Sequence, residues 1–210
     1  MKHNISKLST LIKDANEIIS HIKTKELEER VKIAISFFEL FIQNNKSMIL
    51  LIEGGFYNEA LAIHRLSIEH FFNIFALIRK KDFLDIIKNS SSTELEKTTK
   101  ILDADLEPND YENINEDKKE KFKKIIEDFT QSPTESSGYS IYNAAHSSEV
   151  GGFYNSVYRI LSLKYSHSTY LLAVKGCNSE EMHSYILNAL DFLQITIALF
   201  SKEFPKPISK

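Results

Sequence analysis

Arg65 and Glu69 stand four residues apart in an apolar segment. On a helix that spacing brings the two side chains together as an ion pair. A guanidinium never gives up its charge, so a half-buried one is paired or faces an anion. Two readings follow. The pair fixes a helix bundle, or Arg65 binds an anion while Glu69 orients it or acts as a base. A second group is Arg159, Ser162 and Ser166, which share one face at helical spacing, with His167 beside them. A cation, two hydroxyls and an imidazole on one edge suit a phosphate or carboxylate, and histidine does acid–base work near neutral pH. The competing reading is a helix end capped by Ser166 and His167.

Both groups follow the same five residues. Gly54-Gly55-Phe56-Tyr57-Asn58 precedes Arg65, and Gly151-Gly152-Phe153-Tyr154-Asn155 precedes Arg159. The repeat marks two helices expected to begin alike and to hold one cation each among apolar residues. Apolar positions recur at helical spacing almost throughout. Ile5 to Ile22 reads as a first helix and Glu26 to Glu53 as a second, stopped by Gly54-Gly55. Phe56 to Lys80 is apolar around most of its circumference, as a central bundle helix is. A polar stripe along it comprises Asn58, Ala62, Arg65, Glu69, Asn73 and Ala76.

Residues from about 81 to 149 read as an insertion. It holds an acidic loop from Asp103 to Asp117, a helix from Lys118 to Phe129 and a second loop from Gln131 to Gly138. The lysine run from Lys118 to Lys124 is mixed in sign and reads as a solvated helix face or an RNA-contact patch. A further helix starts after Gly151-Gly152 and runs to about Tyr165. Asn178 and Glu181 fit a capping box opening the last helix, which Pro205 and Pro207 end. The expected fold is all-α: one domain over residues 1–210, a helical bundle of four to five long helices with a helical insertion.

The net charge of -3 gives no general attraction to nucleic acid, so RNA contact requires a local patch. The one cysteine, Cys177, permits no internal disulfide and fits a reducing cytoplasm. No signal peptide and no uncharged apolar run of membrane length are expected. Glu180 and His183 have the spacing used in di-iron bundles, but such sites need two copies and further carboxylates. No metal and no cofactor are expected.

The set Arg65 and Glu69, followed by Tyr158-Arg159, Leu161-Ser162 and His167, resembles a bacterial all-helical family of unknown function. The resemblance spans about Leu50 to Thr169 and implies that these residues converge in a helical bundle. More distantly the chain resembles HEPN domains, small helical bundles that often dimerise and cleave RNA. Their motif is an arginine, four to six residues, then a histidine, and Arg65 to His70 has the four-residue spacing. His70 also falls on the stripe of Ile63, Leu66, Ile74 and Leu77, where a packed core histidine is expected. The resemblance implies a metal-independent ribonuclease of a toxin or phage-defence system, cytoplasmic and homodimeric, acting on RNA. Arg159, His167 and Glu69 are the expected catalytic residues, and Arg65, Ser162 and Ser166 the anion-binding ones. The alternative is a non-catalytic module for protein interaction or anion or nucleotide binding, with a structural Arg–Glu network.

Overall fold

The computed structural model describes residues 1–22, 26–90, 117, 120–121, 124, 138–165 and 170–205. The fold is all-α, with no strand among the described residues. Chain contacts divide it into two compact units, one of Met1–Lys81 with Ile141–Lys210, the other of Asp82–Ser140. The second contains a helical stretch at 83–90, and there Phe83 packs against Tyr139 with ring centroids 6.2 Å apart.

The first unit is built on α1 (Lys2–His21), α2 (Glu29–Glu53) and α3 (Tyr57–Arg79). After α4 (Ile141–His146) comes a turn of π-helix, Tyr154–Tyr158, which runs directly into α5 (Arg159–Tyr165). The short α6 (Tyr170–Lys175) precedes the long α7 (Ser179–Glu203). Aromatic side chains join α2, α3 and α7 in one core. Phe38 stacks on Phe200 at 4.6 Å, and Phe71 meets Phe192 at 4.9 Å. Leu8, Ile12 and Ala15 bring α1 onto it.

The helix ends follow from local chemistry. Gly55, at φ +81°, ends α2 in a Schellman turn: its N–H bonds Ile52 O, and the Phe56 N–H bonds Leu51 O at 2.8 Å. Arg30 reaches from α2 to the last carbonyls of α3, donating to Leu77 O at 2.8 Å and Ile78 O at 3.1 Å. Asn178 Oδ1 accepts from the Glu181 N–H at 2.8 Å and opens α7. The reciprocal half of the expected capping box does not form; the Glu181 carboxylate pairs instead with Lys164. Arg79, at the end of α3, ion-pairs Glu149 at 2.8 Å and Glu203 at 2.7 Å.

The two copies of the pentapeptide fold differently. In the first, Gly55 is left-handed and Phe56 is exposed. In the second, neither glycine has a positive φ, and Phe153 packs edge-on against Phe192 at 5.1 Å. One copy breaks a helix; the other leads into one. Two long helices come near membrane-span composition while carrying charges, Arg65 and Glu69 in α3 and Asp191 in α7. α3 and α7 each contain a window long and apolar enough to cross a bilayer, of which 61% and 44% respectively is buried inside the protein. A few charges within such a window do not remove it from the spanning class, and core helices share its composition.

Candidate functional site

The polar stripe of α3 meets the π-helical turn. Arg65 Nη2 lies 2.8 Å from Glu69 Oε1, the i,i+4 pair that the spacing predicts. The Tyr158 hydroxyl completes a closed triangle: it donates to Glu69 Oε1 at 2.8 Å and accepts from Arg65 Nη2 at 3.0 Å. The Arg65 guanidinium carbon also lies 5.2 Å from the centre of the Tyr158 ring. Arg65 and Glu69 side chains keep 23% and 20% exposure, so the pair is largely but not wholly withdrawn from water.

Burial, and then the hydrogen bond to Glu69, push the Tyr158 hydroxyl above the usual phenol range. It therefore stays protonated and remains a donor to the carboxylate. Tyr158 closes a π-helical turn and falls in phase with the buried Leu161 and Tyr165 of α5. A π-helical turn carries an extra residue relative to the α repeat and recurs at functional sites. Here Tyr154 and Tyr158 pack ring to ring at 5.2 Å, and both lie against Phe72 of α3.

Arg159 does not share Glu69 with Arg65. It is exposed at the start of α5, and its neighbour Tyr158 is the residue that meets Glu69. The reason is the helix phase: Tyr158 and Leu161 are buried while Arg159, Ile160 and Leu163 face outward. Glu69 and Arg65 thus neutralise each other. Ser162 is half-buried one turn beyond Tyr158. Ser166 and His167 lie outside the described residues. Of the lysine run, Lys121 and Lys124 are described, both helical and exposed. His70 is half-buried, tilted against Phe37 at 5.6 Å, and burial lowers its pKa.

A second polar group sits where α5 and α7 approach the start of α3. Lys164 pairs with Glu181, and its ammonium lies 5.1 Å from the Tyr165 ring centre. Asn58 Oδ1 accepts the Cys177 N–H at 2.8 Å, tying the α6–α7 connection to α3. Burial, with Glu181 next in effect, raises the Cys177 pKa, so the thiol stays protonated and is a poor nucleophile. Among the described residues no three His, Cys, Asp or Glu side chains group as a metal site.

Tyr158 and His64 are the polar residues that sequence reasoning undervalued. Tyr158 stood beside Arg159 in the motif, at helical spacing from the buried Leu161 and Tyr165. His64, fully buried, carried no signal beyond its apolar neighbours.

Residues 31–182 match the family model described as a family of unknown function (DUF5677), and the chain belongs to that family. The matched span contains Arg65, Glu69, Tyr158, Arg159, Ser162, Ser166 and His167. No curated protein and no solved structure matched the chain.

Proposed function

We propose that this chain is a HEPN-like, RNA-acting protein of the cytoplasm, cleaving RNA without a metal as part of a toxin or phage-defence system. The observation supporting this is the mounting of Arg159. It is exposed, and the residue before it is locked to Arg65 and Glu69 by two hydrogen bonds. A guanidinium presented on a rigid seat is suited to bidentate contact with a phosphate. His167 then supplies acid–base catalysis: a ribose 2′-hydroxyl loses its proton and attacks the adjacent phosphorus, and the 5′-oxygen leaves as it gains one. Arg159 stabilises the charge that builds on the phosphate oxygens, with the Ser162 and Ser166 hydroxyls as further donors. Glu69 is engaged by Arg65 and Tyr158, so in this reading it holds the seat and takes no proton from substrate.

The test is incubation of the purified protein with total RNA in EDTA, beside folded Arg159→Ala and His167→Ala variants. Cleavage by wild type alone is expected. A second reading is favoured by the closure of the Arg65–Tyr158–Glu69 triangle, which leaves that group electrically neutral. In it the network fixes helix packing and the protein acts by binding. No cleavage by any of the three folded proteins would favour it.

A further inference from the structure

A groove runs between α1 and α2, away from the Arg65–Tyr158 seam. It comprises two open cavities that meet at Ser9, of about 570 Å³ and about 400 Å³. Ile5, Ile12, Ile49 and Ile52 contribute to its lining. Leu50, in the last turn of α2, lines it too and is 69% exposed. An apolar side chain so open at the edge of a groove floored by the buried Ile12 and Ile52 is a feature of binding grooves.

Three of the four charged lining residues are cations: Lys2, Lys13 and Lys46, against Glu53. The groove therefore carries a local charge of +2, from three positive and one negative, in a chain whose net charge is -3. Its lining on α1 runs from Lys2 to Asn16, and at 1.5 Å per residue that is about 21 Å, or four helical turns. This length exceeds what a small molecule needs and suits a helix laid into the groove. The apolar floor takes anchors at i, i+3 or i+4 and i+7, and the lysine rim takes carboxylates.

We propose that the α1–α2 groove is a docking site for an acidic amphipathic helix of a partner protein. The proposal is independent of any activity on RNA. The probe is a fluorescein-labelled synthetic helix of about 14 residues, with a leucine stripe and glutamates on its other face. A matched peptide carries lysine in place of glutamate. Anisotropy is read with the full chain, with Leu50→Asp, and with the double variant Lys13→Glu and Lys46→Glu, each checked by circular dichroism. The acidic peptide is expected to bind about ten-fold more tightly than the basic one. Leu50→Asp should weaken it by about ten-fold or more, and the charge reversal should abolish the preference. Absence of binding, equal binding of both peptides, or an unaltered Leu50→Asp affinity would overturn the proposal. So would Leu50-dependent binding of phosphatidylglycerol vesicles without binding of the peptide, which would make the groove a membrane surface.

Discussion

His64 makes the stability of this fold depend on pH through one buried imidazole. It is wholly buried on α3, its ring 6.3 Å from that of Tyr185 and 6.2 Å from that of Phe192, both on α7. Neither ring nitrogen has a hydrogen-bond partner. Burial alone lowers its pKa from 6.5 to about 4. The folded protein thus keeps His64 neutral at a pH where the unfolded chain would protonate it. Stability is complete above pH 6.5 and falls as pH drops toward 4, because the unfolded state binds a proton that the fold refuses. At about 1.4 kcal/mol per pH unit, the gap corresponds to about 3 kcal/mol lost by pH 4. Leucine is of similar size and does not titrate. Urea unfolding of wild type and His64→Leu, compared from pH 7.5 to 4, isolates the contribution, since other carboxylates and histidines titrate in both. His64→Leu is expected to gain on wild type by about 3 kcal/mol across that range. It should be near neutral or stabilising at pH 7, because it removes two unpartnered buried nitrogens. A stability difference that does not move with pH would refute the reasoning, as would a large loss at pH 7.

Tyr158→Phe deletes only the hydroxyl linking Arg65 to Glu69, and should cost about 1–2 kcal/mol in urea unfolding. Combined with Arg65→Ala, a double-mutant cycle should show coupling of at least about 0.5 kcal/mol; additive losses would mean that the triangle is energetically inert. The two glycine pairs should respond in opposite ways. Gly55→Ala forces an L-residue to φ +81° and should lower stability by about 1 kcal/mol. Gly152→Ala meets no atom within 4 Å and lies in helical backbone, so it should be neutral or stabilising in the same melt.

The long helices were legible because one apolar stripe per helix is what a bundle requires. Ile12, Phe38, Phe41 and Leu193 sit where the 3.6-residue period puts them, in the core. Arg65 with Glu69 was legible for the same reason, as a spacing of four needs no tertiary information. Arg159 was not. It stands among apolar residues in Ile160-Leu161-Ser162-Leu163, yet Ile160 and Leu163 are 50% and 70% exposed. Apolar composition does not say which face of a seven-residue helix meets the core. The identical pentapeptides misled through context. A glycine pair directly after a completed 25-residue helix caps it, whereas the second pair stands beyond the turn that follows α4 and leads into the next helix.

In the proposed function the Arg65–Tyr158–Glu69 triangle seats Arg159 for work on RNA. Its most direct test is RNA turnover in EDTA by wild type, Arg159→Ala and Tyr158→Phe, at a temperature where circular dichroism shows all three folded. On that reading, turnover by wild type is expected, with its loss in Arg159→Ala and a fall of at least about ten-fold in Tyr158→Phe, which keeps Arg159 but unlocks its seat. Wild-type turnover in both variants, or none in any of the three, would contradict it.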